Sequence, residues 1–450
     1  MNKDLTVGNP GSVLIKYTFP LFISIIFQQL YNMADSIIVG KFIGENALAA
    51  VGASYPITMI FMSVAIGSQI GCSVVISKLY GSGDYLQTKT CIYTTVISGL
   101  ALSSLLTLAG TLCSPFLINL VSTPENIFND ANLYLQIYTG GFVFVFLYNI
   151  TTGVFSSLGD SRTPLVLLIC SSLFNIGLDL LFVKGFSFGV AGAAWATFIA
   201  QGAACVFSGI ILKKRTDGLK TEEKAEKFSL PALKNIIRIA VPSILQQGFV
   251  SVGNMLIQSL INGFGSPVIA GYSAAVKLNT FAVTTFTTLA GGVSNFTAQN
   301  IGAKKYTRIK SGFFAGLIFA LSVATIAFII LFFFSDSALN LFMDAQKSGE
   351  ALNTGRTFLK IVSPFYFFVC AKLICDGVLR GGEKMAAFMV STFTDLALRV
   401  ILAYIFSGFA GTTGIWCAWP VSWIIASALS VVFYIKFVKS FRKQPLSQSQ

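Results

Sequence analysis

The 450-residue chain is 54% hydrophobic and only 11% charged, with a mean hydropathy of +0.75, whereas a soluble protein of this length carries about 25% charged residues. A water-soluble globular fold is excluded, and the net charge of +13 has to be accommodated in a largely apolar chain. Histidine is absent, which removes the usual proton shuttle and metal ligand and leaves any proton chemistry to carboxylates.

Apolar runs of about 20 residues or more, each able to cross ~30 Å of hydrocarbon, recur near 13–40, 52–80, 91–114, 130–158, 164–184 and 190–212. After a polar interruption they resume near 235–262, 270–301, 311–334, 353–380, 386–407 and 414–436. The pattern predicts an all-α polytopic membrane protein with twelve transmembrane helices: six in an N-terminal lobe (1–212) and six in a C-terminal lobe (235–436). Residues 213–234 open on KKRTDGLKTEEKAEKFS and read as a solvated linker, with a short amphipathic helix over 230–238 leading into the next span. Residues 437–450 read as a tail. Pro20, Pro56, Pro242, Pro364 and Pro420 lie inside apolar runs, where neighbouring groups re-satisfy the freed carbonyls and a proline kinks the helix without ending it.

The basic residues orient the chain. With the N-terminus in the cytoplasm, the inner segments hold Lys78, Lys89, Arg162, the run Lys213-Lys214-Arg215, Lys304, Lys305, Arg308, Lys310, Arg380, Lys384 and the stretch from Lys436 to Lys443. That is a strong positive-inside bias, so the surplus charge is topological, and its scatter over separate segments argues against a nucleic-acid partner. Both termini are expected in the cytoplasm of a prokaryotic cell, in a multi-pass protein of the cell membrane. The first apolar stretch is too long for a cleavable signal peptide. All eight cysteines fall in or beside predicted spans without a CxxC pair, so neither a zinc site nor a disulfide framework is expected.

The second half repeats the first. Pro20 with Asn32-Met33 recurs as Pro242 with Asn254-Met255, and Tyr80-Gly81, Tyr85 and Lys89 recur as Ile301-Gly302, Tyr306 and Lys310. Gly153-Val154 recurs as Gly377-Val378, and the turn Gly159-Asp160-Ser161 as Gly382-Glu383-Lys384. An offset near ~220 residues throughout marks a duplication, the common build of secondary transporters, whose substrate site lies between the repeats.

Ionisable residues inside lipid-spanning stretches cost about 2.5–3.5 kcal/mol each on insertion scales and are by default functional candidates. Asp35, Asp179 and Thr197 fall at matching depth, roughly 7–11 Å below the outer surface at 1.5 Å per residue. Asn175 lies one turn below Asp179 on the same face. Carboxylate, amide and hydroxyl oxygens suit a small hard cation, or a proton on a desolvated carboxylate. The same residues also fit a plainer reading in which Asp35 caps polar neighbours and Asp179 anchors a helix end near water.

In the second half Asp395 and Arg399 stand where the ~220-residue offset puts Asn175 and Asp179, and Ile257 stands opposite Asp35. An opposed i,i+4 pair reads as a structural bridge, and Lys277 reads as a further buried cation. Lys372, Asp376 and Arg380 form a ladder at helical spacing that reads as structural ion pairing. Gln28, Gln29, Tyr31, Tyr134, Tyr138, Tyr148 and Asn149 offer polar and aromatic faces for organic cations.

The run PLFISIIFQQLYNMADSIIVGKFIGENALAAVG from Pro20, the turns KLYGSGDYLQTK and AQNIGAKKYTRIK, the paired turns GVFSSLGDSRTP and GVLRGGEK, and NIGLD followed by GVAGAAWAT together resemble the multidrug and toxic compound extrusion family of cation-coupled exporters. The resemblance covers roughly residues 10–440. It implies two homologous six-helix lobes around a central cleft, related by a pseudo-twofold axis along the membrane normal. It also implies a cation-coupling site (H⁺ or Na⁺) at Asp35, Asn175, Asp179 and Thr197.

The expectation is therefore an antiporter that exports amphipathic, cationic organic compounds by alternating access. It needs no cofactor beyond the coupling ion, no metal beyond a coupling Na⁺ and no obligatory protein partner. A flippase for a lipid-linked saccharide is the alternative, kept open by Lys277, Lys372 and Arg399. No catalytic constellation, phosphate loop or metal cluster is visible, so an enzyme is not expected.

Overall fold

The computed structural model describes residues 4–121, 123–341 and 349–442, and every regular element in them is helical. In chain order these are α1 (Pro10–Phe42), α2 (Glu45–Gly81), α3 (Tyr85–Leu120), α4 (Glu125–Gly140), α5 (Phe142–Ser157), α6 (Arg162–Asp179) and α7 (Gly189–Asp217). They are followed by α8 (Leu230–Asn262), α9 (Ser266–Gly302), α10 (Tyr306–Phe333), the short α11 (Ser335–Leu339), α12 (Gly349–Val362), α13 (Tyr366–Gly381) and α14 (Met385–Arg442). A π-helical turn, Leu180–Gly185, prolongs α6, and a 3₁₀ turn, Ser363–Phe365, joins α12 to α13. Residues 443–450 of the expected tail lie outside the described residues.

Among the described residues nine helices are long and apolar enough to cross a membrane, or ten if α4 and α5, bent by 47°, form one span. Their outer faces have the polarity of lipid rather than water: Leu105, Leu108, Leu112 and Phe116 form a stripe along α3 that is 59–72% exposed. Such a stripe in water would drive aggregation. The protein is an all-α, multi-pass membrane protein. The helix α9 falls short of that apolarity, and its buried Ser294, Asn295, Thr297, Gln299 and Asn300 account for part of the deficit. The long α14 is interrupted at Gly411, whose φ of 56° and ψ of −137° leave the helical region.

The chain divides into two compact units. Unit 1 contains Phe19–Gly248, and unit 2 contains Leu5–Thr18 together with the chain from Phe249 onward. The first half of α1 thus belongs to unit 2, and the first half of α8 to unit 1. In unit 1, α5 is the hub, packed on α2, α3 and α7; in unit 2, α13 takes that place against α9, α10 and α14. The segment before α1 is pinned to unit 2: Leu5 N donates to Gln299 Oε1 (3.0 Å), Lys305 Nζ to Thr6 O (3.0 Å) and Arg308 Nη1 to Gly8 O (2.6 Å).

Turn geometry fixes the register of the duplication. Asp160 N donates to Phe155 O after α5, and Lys384 N to Leu379 O after α13, both at turns closed by a left-handed residue, Gly159 (φ 76°) and Glu383 (φ 57°). Gly159 therefore corresponds to Glu383, not Gly382, an offset of 224. The same offset relates Ser187 (φ 56°), between α6 and α7, to Gly411 within α14. The match of Asn175 and Asp179 to Asp395 and Arg399 is accordingly one helical turn out of register: Asn175 corresponds to Arg399, Asp179 to Ala403 and Thr197 to Val421. Sequence similarity could not see this, because a slip of four residues keeps every side chain on the same helical face.

Two local expectations also change. The basic run Lys213-Lys214-Arg215 is the last turn of α7, and α8 is continuous from Leu230, so no separate amphipathic helix precedes it. The connecting segment is tied down: Ser229 N donates to Thr94 Oγ1 (2.9 Å) and Lys89 Nζ to Thr221 Oγ1 (3.5 Å). Lys277, expected to be buried, is exposed on α9.

Candidate functional site

Unit 1 gathers its intramembrane acids at one place. Asp35 lies in the last third of α1, and Asp179 is the final α-helical residue of α6, where the wide π turn begins. The two carboxyl groups come within hydrogen-bonding reach of each other. Asp179 is completely buried, Asn175 is 2% exposed, and no protein donor meets either oxygen of Asp179. The amide of Asn175 is likewise without a partner at both its oxygen and its nitrogen.

That arrangement has a direct chemical meaning. Two ionised carboxylates have no proton to share, and at ~4 Å they repel by about 4 kcal/mol at an effective dielectric of ~20. A shared proton or a small cation removes the repulsion, and the orphaned Asn175 carbonyl adds a neutral oxygen ligand. The donor set therefore fits a proton or a hard monovalent cation.

Tyrosines surround the acids. Tyr31, one turn before Asp35 on α1, reaches Thr197 of α7 and is in electrostatic range of both carboxyls. Tyr134 and Tyr138 stack along α4 with ring centroids 6.4 Å apart, and Tyr134 is likewise in range of both acids. A small cavity adjoins them, lined by Tyr134, Tyr138, Thr197, Phe198 and Gln201. It opens where Gly140 and Gly141 break α4 from α5 by 47°. Gln201 was not anticipated; its buried Oε1 has no partner, and its place one turn after Thr197 on α7 was the available signal.

The structure thus brings Asp35, Asp179, Tyr31 and Tyr138 together with Thr197, and sets Asn175 on the same helix as Asp179. The other four expected cleft residues, Gln28, Gln29, Tyr148 and Asn149, are not among the groups gathered around the acids. Gln28 is exposed, Gln29 is half-buried, and Asn149 turns its amide onto its own helix, donating to Val145 O at 2.8 Å.

Unit 2 has no acidic counterpart at Ile257, Arg399, Ala403 or Val421. Four of its buried charges pair instead. Lys372 Nζ donates to Asp376 Oδ2 at 2.8 Å, and Ser391 and Ser430 donate to Oδ1 at 3.0 and 2.7 Å. Arg399 Nη2 donates to both oxygens of Asp395 at 2.9 Å, and its guanidinium lies 4.4 Å from the Trp419 ring. Arg380 instead faces the Phe388 ring at 5.6 Å.

The MatE family model matches residues 20–181 and again 242–405. The chain belongs to this family. The double match reproduces the duplication, with an offset of 222 at its start and 224 at its end. MATE proteins are secondary transporters, not enzymes, so small-molecule transport across a membrane is the activity of this chain. It is 27% identical over 96% of both chains to the "Probable multidrug resistance protein YpnP" of Bacillus subtilis. To the "FAD transporter" of Shewanella oneidensis it is 24% identical, over 92% of this chain and 91% of that one. Among solved structures it shares its fold with an outward-facing multidrug resistance MATE family transporter of the MOP superfamily (TM-score 0.92, 21% identity, covering 98% and 99%). A MOP superfamily transporter from Pyrococcus furiosus, described as having a binding pocket of reversed polarity, is as similar (TM-score 0.92, 21% identity, covering 98% of both chains).

Proposed function

We propose that the chain is an antiporter that exports amphipathic, cationic organic compounds in exchange for H⁺ or Na⁺, with the coupling ion held at Asp35 and Asp179. The single observation that carries this reading is the buried Asp179 carboxyl, neither oxygen of which has a donor, facing the half-buried Asp35 beside an equally partnerless Asn175. Thr197 and Tyr31 close the site, and Tyr134, Tyr138 and Phe198 offer aromatic faces to an organic cation beside it. Ion entry relieves the repulsion between the acids, and in the same step changes the packing of α1 against α6. Alternating access follows if substrate and ion favour opposite arrangements of that contact.

The proposal includes twelve spans. To the ten that meet the length and apolarity test it adds α9, a 37-residue helix, and counts α14 as two helices joined at Gly411. The positive-inside bias then leaves both termini in the cytoplasm of a prokaryotic cell. The two lobes of the reading are the two compact units, Phe19–Gly248 in one and Leu5–Thr18 with the chain from Phe249 onward in the other, in place of a division at 212 and 235.

Efflux of a fluorescent organic cation from proteoliposomes, with proton and sodium gradients imposed separately, tests the reading. Export driven by one gradient names the coupling ion. No export under either gradient removes the antiporter assignment and turns attention to a labelled lipid-linked saccharide.

A further inference from the structure

Among the described residues, the buried ion pairs of unit 2 do not include Arg380. Lys372 and Arg380 stand two turns apart on α13, and Asp376 lies between them. The Asp376 carboxylate is already engaged at both oxygens by Lys372, Ser391 and Ser430. The other ion pairs described in unit 2, Arg399–Asp395 and Arg356–Asp336, involve neither residue. Arg380 is nevertheless only 5% exposed, and its Nε is sealed from solvent without a hydrogen-bond partner. Contact with the Phe388 ring does not satisfy five N–H donors, and a guanidinium cannot escape burial by losing its proton.

The surroundings attract negative charge. Arg380 is one residue from the turn Gly381–Lys384 that closes α13. Lys384 projects over the Phe437 ring at 5.9 Å and is exposed, and Lys436 and Lys439, also exposed, lie in the same stretch of α14 as Phe437. Glu383, the acid of the turn, is exposed, and Arg380 is in none of the described ion pairs. The equivalents of Lys372, Asp376 and Arg380 in unit 1, at the 224-residue offset, are Tyr148, Thr152 and Ser156, so the buried cation is peculiar to the second repeat.

We propose that Arg380 is the anchor of an oxyanion-binding site at this end of unit 2, taking a phosphate group whose oxygens accept from the guanidinium in the two-pronged manner. The exposed Lys384 of the adjoining turn, with the other basic residues of this end of the chain, raises the local concentration of the anion. The phosphate comes either from a phospholipid headgroup or from a dissolved phosphate compound. The site is separate from the carboxyl pair of unit 1 and does not depend on what that pair couples.

Thermal unfolding of the purified full-length protein tests the proposal through two probes. One is inorganic phosphate in detergent, with chloride at matched ionic strength as control. The other is nanodiscs of phosphatidylglycerol against nanodiscs of phosphatidylcholine. The expected result is a saturable rise in unfolding temperature for the wild type. Its half-saturating concentration should increase at least about tenfold in Arg380→Met and several-fold in Arg380→Lys, which keeps the charge but loses the fork. Stabilisation by phosphatidylglycerol alone identifies a lipid as the source, and stabilisation by phosphate a solute. An equal response to chloride, no response to either probe, or an unchanged half-saturation in Arg380→Lys overturns the proposal; the lysine variant decides the matter if Arg380→Met fails to fold.

Discussion

Gly71 on α2 and Ala240 on α8 approach so closely that a Cβ on the glycine would lie 2.6 Å from the Ala240 Cβ and 2.8 Å from its backbone nitrogen. The contact is repeated 221 residues later on α2's counterpart, where Gly292 of α9 meets Thr18 of α1. In each unit, then, a glycine admits the first half of a helix whose second half belongs to the other unit. At Gly71 the opposing atoms are the backbone and Cβ of Ala240, which cannot move aside; at Gly292 the nearest is the Cγ2 methyl of the buried Thr18.

Replacement of either glycine by valine should therefore lower stability by about 1–3 kcal/mol, the usual cost of overpacking a filled contact. Gly209, inside α7 with open space around its Cβ position, is the control: Gly209→Ala should stabilise, by up to about 1 kcal/mol of helix propensity. Unfolding temperatures of the three purified variants check both signs.

Asp35→Asn and Asp179→Asn each remove one charge of the facing pair and with it the repulsion that an ion relieves. Both proteins should elute as folded monodisperse material yet lose gradient-driven efflux by at least about tenfold, the effect of ~1.4 kcal/mol in ion affinity. Efflux that survives in both variants would rule out the carboxyl pair as the coupling site.

Arg399 and Asp395 form a buried ion pair, bifurcated from one guanidinium nitrogen, that is 8–9% exposed. Arg399→Ala strands the carboxylate and should cost about 3–5 kcal/mol, whereas the double change to an apolar pair of similar volume should cost far less. A double-mutant cycle on unfolding free energies measures the difference, and the ion dependence of any remaining transport should be that of the wild type.

The turns after α2 and α9 require a left-handed residue, Gly83 (φ 77°) in one repeat and Lys304 (φ 58°) in the other. Gly83 has open space around it, so Gly83→Ala should cost about 1–2 kcal/mol from backbone strain alone. Lys304→Gly relieves the same strain while adding roughly 0.5–1 kcal/mol of unfolded-state entropy, and should leave stability equal or slightly higher. Chemical denaturation of the two variants distinguishes a strained turn from an indifferent one.

Much of this protein was written in its composition and periodicity. Apolar runs of membrane-crossing length dictate buried backbone hydrogen bonds and hence helices, and the duplication is carried by turns such as Tyr80-Gly81 and Ile301-Gly302. The family was legible because those turns and the Asp35 and Asp179 segments recur together in a fixed order. Their depth along two helices followed from rise per residue, a one-dimensional quantity.

What lay outside the sequence is what depends on contact between distant segments. A helical face repeats every turn, so residue spacing alone could not choose between Asp395 and Arg399 as the counterpart of Asn175; the left-handed turns at Gly159 and Glu383 chose. The approach of Asp35 to Asp179, the π turn that follows Asp179, the unpartnered Gln201 and the buried charge of Arg380 belong to the same class. Each is decided by which helices pack together and how closely, and burial and hydrogen-bond satisfaction are properties of that packing rather than of any one segment.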